Sequence, residues 1–151
     1  MPIVFRNWFM PFLNFIGEDA KPLNKIASGG EISRIMLALK TVLAENDRVP
    51  VMVFDEIDVG IGGRVAETLG KKLSNLGKIR QIICITHLPQ IAKYADTHYL
   101  VSKETSQGRT NTRIRRLNFE ERINELARML GGEKITSRAL AHARELLGER
   151  E

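Results

Sequence analysis

The chain has 151 residues, 43% of them hydrophobic and 27% charged, with a net charge of +5. That is one ordinary domain or a large lobe of one, able to bury roughly two thirds of its unfolded surface; no apolar run approaches the roughly 18 to 20 residues of a membrane helix. The single cysteine, Cys84, excludes a disulfide framework and fits a reducing compartment. The basic excess leans toward acidic partners such as nucleic acid or nucleotide, but apart from Arg113, Arg115 and Arg116 the basic residues are spread out and read as a solvated surface.

Met1 to Ile16 carry Phe5, Trp8, Phe9, Phe12, Phe15 and Ile16, with Arg6 as the only side-chain charge. Asn7, Pro11 and Asn14 interrupt the run and no small-residue cleavage site follows, so it reads as a strand pair or a surface made for burial rather than a secretory signal. Residues 17–151 read as the ordered domain. After a polar, turn-like stretch, Ser28 and Glu31 form a capping box. Ile32, Ile35, Met36, Leu39, Val42 and Leu43 then recur at helical spacing, predicting a helix that ends near Asn46 and Asp47.

Val51 to Phe54, bounded by Pro50 and Asp55, predicts a strand buried on both faces of a parallel sheet. A turn at Gly60 to Gly63 leads into a helix over Val65 to Leu76, then a second buried strand over Gln81 to Thr86 in which Cys84 is a small hydrophobe. Leu88 to Tyr94 predicts a short helix with Pro89 in its first turn, and His98 to Ser102 a third strand. This alternation predicts a doubly wound α/β core, with Asp55, Glu56 and His87 at the carboxyl ends of its strands, where ligands bind. Thr110 to Leu117 alternates and is expected to pair antiparallel with His98 to Ser102. Two amphipathic helices, Glu120 to Leu130 and Ile135 to Leu147, close the chain.

Several of these residues suit a triphosphate. An aspartate at the end of a buried strand can hold Mg²⁺, and the adjacent glutamate can polarise a water for attack on a γ-phosphate; the same pair also suits a capped turn that binds nothing. The helix start at Ser28, Gly29 and Gly30 is an anion site or a plain capping box. His87 can donate to a phosphate or be structural, while His98 and His142 read as structural. No stretch matches G-x-x-x-x-G-K-[ST]: Gly70 is followed by two lysines, and Gly77-Lys78 by Ile79. Zinc-ligand spacing and a G-x-S-x-G elbow are also missing from the sequence.

Ala27 to Glu31 resembles the signature motif of ATP-binding-cassette ATPases, Val51 to Glu56 their Walker B strand, Ile57 to Gly60 their D-loop, and His87 their switch histidine. Lys25 to Lys40, Phe54 to Gly63, Thr86 to Ala92 and Glu125 to Gly132 are similar to the C-terminal head lobe of the RecN family of bacterial SMC-like double-strand-break repair ATPases. The resemblance implies the C-terminal lobe of a P-loop head, a mostly parallel sheet flanked by helices with a C-terminal β-hairpin and two helices. It also implies ATP and Mg²⁺ as cofactors. Asp55 would serve the metal, Glu56 the attacking water and His87 the γ-phosphate. Ser28, Gly29, Gly30 and Glu31 would meet the ATP of a second head, and Asp58 would communicate across the dimer. An N-terminal lobe carrying Walker A would complete the site, so the chain resembles a truncated or split product, or an excised lobe. Its place would be the bacterial cytoplasm, at the nucleoid. Two other readings stand beside it: a non-catalytic module docking on an intact head or on DNA, and a metal-dependent phosphotransferase using Asp55, Glu56 and Asp58.

Overall fold

The computed structural model describes residues 27–43, 49–106, 109–132 and 134–148. The apolar segment over residues 1–16, the polar stretch after it and the expected helix end near Asn46 and Asp47 lie outside them. In chain order the described residues form helix α1 (Gly29–Val42), strand β1 (Val51–Phe54), helix α2 (Gly63–Gly77), strand β2 (Gln81–Cys84) and short helix α3 (Pro89–Ala92). Strands β3 (Tyr99–Ser106) and β4 (Arg109–Arg116) and helices α4 (Phe119–Gly131) and α5 (Ser137–Gly148) follow. The described residues up to Ile61, with Lys72–Thr86, make one compact unit; Gly62–Lys71 and the described residues from His87 onward make another.

In the first unit β1 and β2 pair in parallel, from Val51 opposite Gln81 to Phe54 opposite Cys84. The Ile85 N–H donates to the Phe54 carbonyl at 2.9 Å and carries the ladder one step further. Side chains alternate across a strand, and here the alternation divides the sheet: Met52 and Phe54 are buried, whereas Val51 and Val53, with Ile83 and Ile85 beside them, are exposed. The expectation of burial on both faces is therefore corrected. Among the described residues one face of this sheet carries the core and the other is bare, although parallel strands are ordinarily covered on both sides. Leu37, Ile57, Leu73 and Leu76 are buried in the same unit.

The third strand also differs from expectation. β3 does not extend the parallel pair; it pairs antiparallel with β4, from Tyr99 opposite Arg116 to Ser106 opposite Arg109. Strands close together in sequence form a hairpin at small loop cost, whereas joining a parallel neighbour requires a long crossover. The hairpin itself is as the alternation in Thr110 to Leu117 predicts, and the Leu117 N–H donating to the His98 carbonyl at 2.8 Å closes its base.

The second unit has its core where α4 meets α5: Ala92, Ile123, Leu126, Ala127, Ala143 and Leu147. α4 begins on an Asn118 cap with a reciprocal Glu121 bond, and the Arg122 Nη2 donates to the Ala95 carbonyl at 2.6 Å. The segment after His87 is tied down as well. Glu67 of α2 accepts from the Tyr94 hydroxyl and pairs with the buried Lys93 Nζ at 3.1 Å. Burial raises the Glu67 pKa, but the hydrogen bonds from Tyr94 and Lys93 outweigh it and hold the carboxyl below its ordinary value. Burial, and after it the Arg122 guanidinium, push His98 below the ordinary histidine range against the pull of Glu125, as suits a structural histidine.

Candidate nucleotide site

β1 ends at Phe54, and the chain turns at Asp55 and Glu56, both exposed. The Asp55 Oδ1 accepts from the Glu56 N–H at 2.9 Å. Glu56 has φ +56°, the left-handed region that a side chain disfavours, and is the one non-glycine residue with positive φ among those described. The turn closes through the Val59 N–H donating to the Glu56 carbonyl at 3.1 Å and the Ile61 N–H to the Asp58 carbonyl at 3.3 Å. Two side chains pin it from within. Ile57 is fully buried, and the buried Asp58 accepts the Thr86 hydroxyl at 2.6 Å, tying this turn to the residues that follow β2.

The start of α1 lies against this turn. Ser28 is extended, with ψ 160°, and caps the helix: its N–H donates to the Glu31 Oε2 at 2.8 Å and its Oγ accepts from the Glu31 N–H at 3.3 Å. The Ser28 N–H and the Ser28 hydroxyl, which also donates to the Glu31 Oε2 at 2.9 Å, hold the Glu31 carboxyl below its ordinary pKa. The cap bonds engage two of the backbone donors at the helix start, and the N–H groups of Gly29 and Gly30 have no partner within the helix. A Cβ on Gly30 would stand 2.7 Å from the Glu56 carbonyl oxygen, and one on Gly29 would stand 2.6 Å from the Glu56 Oε2. Gly30 is thus required by the approach of the turn's backbone, whatever else it meets, whereas the obstacle at Gly29 is the end of a side chain.

One turn further along the helix, the Ser33 hydroxyl donates to the Asp55 carbonyl at 3.0 Å, and the Arg34 Nη1 to the carbonyls of Ile57 at 3.2 Å and Val59 at 2.9 Å. Sequence reasoning missed Ser33, Arg34 and Thr86. The first two carried a signal, because they lie three and four residues after Gly30 and so share its face of the helix. The sequence expectation assigned Ser28 to Glu31 and Asp55 to Glu56 to different nucleotides; within this chain the two stretches are immediate neighbours. His87 is exposed and belongs to the second unit, and Asp58 is engaged internally by Thr86.

No family model matches the chain. Its sequence is 53% identical over 131 residues to DNA repair protein RecN of Treponema pallidum, 49% to RecN of Halalkalibacterium halodurans and 45% to RecN of Bacillus subtilis, in each case covering 87% of this chain. The chain is homologous to RecN. It spans 23% of the length of these RecN relatives. A solved structure from a study of the ATP-driven dimerisation and DNA-stimulated activation of SMC ATPases aligns with a TM-score of 0.51 at 21% identity, over 78% of this chain and 70% of that one. The fold is that of an SMC-type ATPase lobe.

In this RecN homologue the donors for a divalent cation are few: no group of three or more His, Cys, Asp or Glu gathers among the described residues. That set does not suit a protein-made cage. It fits Mg²⁺, which keeps much of its water and takes one or two carboxylates together with substrate phosphates. Asp55 supplies such an exposed carboxylate, with Glu56 next to it. Burial, and then the charges of Asp58 and Asp55, push the Cys84 thiol up to about 12.

Proposed function

We propose that this chain is the C-terminal, signature-bearing lobe of a RecN-like ATPase head for DNA repair and recombination, completed by an N-terminal lobe that supplies the phosphate loop. The observation that carries the reading is the hydrogen-bonded junction of the α1 start with the turn after β1, made by Ser33, Arg34 and the close approach of Gly30 to Glu56. It supports the motif identities of Ser28 to Glu31 and Asp55 to Gly60. The bare face of β1 and β2 supports the need for a second lobe, since a parallel pair exposed in this way lacks the layer such sheets ordinarily have.

In this reading Asp55 holds Mg²⁺, and Glu56 orients and deprotonates the attacking water. Mg²⁺ when bound would neutralise charge developing on the phosphate oxygens. His87 donates to the γ-phosphate. Ser28, Gly29 and Gly30 offer hydroxyl and backbone donors to the ATP of a second head, with Glu31 holding Ser28 in its extended form. Asp58 relays the state of the dimer through Thr86, the residue before His87. The lobe works in the bacterial cytoplasm with DNA at the nucleoid as the partner of the complete protein.

The test is reconstitution. The chain is mixed or co-expressed with the N-terminal lobe of a RecN relative and ATP turnover is measured for the wild type and for Glu56→Gln. A fall of about 100-fold or more is expected from losing the general base, with ATP binding retained; turnover indifferent to Glu56→Gln overturns the assignment. The alternative, a non-catalytic module docking on an intact head or on DNA, is favoured by the missing G-x-x-x-x-G-K-[ST] motif. A mixture that associates but never hydrolyses ATP supports it.

A further inference from the structure

The backbone carbonyls of residues 55–59, in the turn after β1, divide in an ordered way. Those of Glu56 and Asp58 accept from the N–H groups of Val59 and Ile61, inside the turn itself. Those of Asp55, Ile57 and Val59 accept from α1: the first from the Ser33 hydroxyl, the other two from the single Arg34 Nη1, at 3.2 and 2.9 Å. Two consecutive helix residues therefore hold every second carbonyl around Glu56, the residue with φ +56°.

Of the two, Arg34 is the costlier to lose. Asp55 and Val59 are exposed, so their carbonyls can turn to water, but Ile57 is fully buried, and without Arg34 its carbonyl would be left without a partner. The guanidinium reaches the turn past Gly30, where an added Cβ would stand 3.1 Å from the Arg34 Nη1. The same helix start lies against the Glu56 side chain, because a Cβ on Gly29 would stand 2.6 Å from the Glu56 Oε2. Helix α1 thus grips the backbone of the turn through Ser33 and Arg34 and backs the carboxylate with Gly29. The Arg34 Nη1 donates to backbone carbonyls, so its part is played through the turn.

We infer that Arg34 is a positioning residue for Glu56: by holding the Ile57 and Val59 carbonyls it fixes the Glu56 carboxylate against the start of α1, and so sets the rate of water attack without contributing to ATP affinity. The inference rests on the proposed function for the role of Glu56.

The experiment has one arm on the 151-residue chain and one on its mixture with the N-terminal lobe of a RecN relative. Arg34→Met keeps the aliphatic stem and removes the donors. In the chain alone it should speed amide hydrogen exchange at Val59 and Ile61 about tenfold, the change expected from one lost hydrogen bond, while amides of α4 and α5 keep their rates. In the mixture it should lower kcat by about 10- to 100-fold, the cost of a misplaced catalytic group, with KM for ATP unchanged. Arg34→Lys, whose ammonium can donate to both carbonyls from one nitrogen, should recover most of that loss. Placed on Glu56→Gln, Arg34→Met should cost little more, since a residue acting through Glu56 has nothing left to position. Should Arg34→Met fail to fold, Ser33→Ala, which frees only the carbonyl of an exposed residue, should show the same pattern to a smaller degree. The inference is overturned if exchange at Val59 and Ile61 is unchanged, if KM rises in place of a fall in kcat, if lysine does not rescue, or if the loss adds in full to that of Glu56→Gln. A wild-type mixture that hydrolyses ATP and is indifferent to Arg34 overturns this inference alone. One that associates but never hydrolyses ATP overturns the ATPase reading, and the inference with it.

Discussion

Gly29 and Gly30 adjoin in sequence but meet different neighbours. The atom nearest a Cβ at Gly29 is the end of the Glu56 side chain, which can swing away; at Gly30 it is the Glu56 backbone carbonyl, which cannot move without the turn. Gly30→Ala is therefore expected to destabilise the chain by about 1–3 kcal/mol, in the range of overpacked cores, and Gly29→Ala by less; urea unfolding of the two variants measures the difference. Cys84 is the second residue whose behaviour follows from its neighbours. With its pKa pushed from 9.0 to about 12, its thiolate population at neutral pH is about a thousandfold below that of an ordinary thiol. Alkylation by iodoacetamide at pH 7.5 should be correspondingly slow in the native protein and should recover its normal rate in guanidinium.

At the scale of elements, α1 and α4 start in the same way, on reciprocal bonds between Ser28 and Glu31 and between Asn118 and Glu121. Both carboxyls lie below their ordinary pKa of 4.5: Glu31 through the Ser28 backbone and hydroxyl, Glu121 through the Asn118 backbone and then Arg115. A carboxyl whose pKa is lower folded than unfolded stabilises the fold above the unfolded value and loses that contribution as pH falls through the folded one. Helicity measured by circular dichroism should thus decline below pH 4.5, and Glu31→Gln with Glu121→Gln should start lower and flatten that decline. The Ser28–Glu31 cap, the helices and the antiparallel hairpin were legible in the sequence because each is written within a few residues; the Asn118–Glu121 cap is equally local but went unread. The ties across 22 to 28 residues, Ser33 to Asp55, Arg34 to the carbonyls of Ile57 and Val59, and Thr86 to Asp58, were not. Their polar side chains look like ordinary helix or loop residues until the chain is folded. The third strand was misjudged for a related reason: an apolar run reports burial, whereas its choice of partner depends on competition between neighbours.

For the molecule as a whole, the bare sheet face is the main departure from expectation, because a continuous apolar run such as Val51 to Phe54 cannot say whether both of its sides find cover. Val51, Val53, Ile83 and Ile85 form an apolar patch on the described residues, of the kind that binds the dye ANS. Val53→Thr with Ile85→Thr should lower ANS fluorescence while shifting stability by no more than about 0.5 kcal/mol, as for exposed positions. Addition of an N-terminal lobe should quench the wild-type signal if that lobe provides the missing layer. Glu56 has a further implication. A left-handed backbone costs a side chain roughly 1–2 kcal/mol, and a glycine would avoid most of that cost. A screen rewarding thermal robustness alone would drift toward removing the carboxylate assigned to the attacking water, so a sturdier variant of this chain should be checked at position 56 before its vigour is taken for improvement.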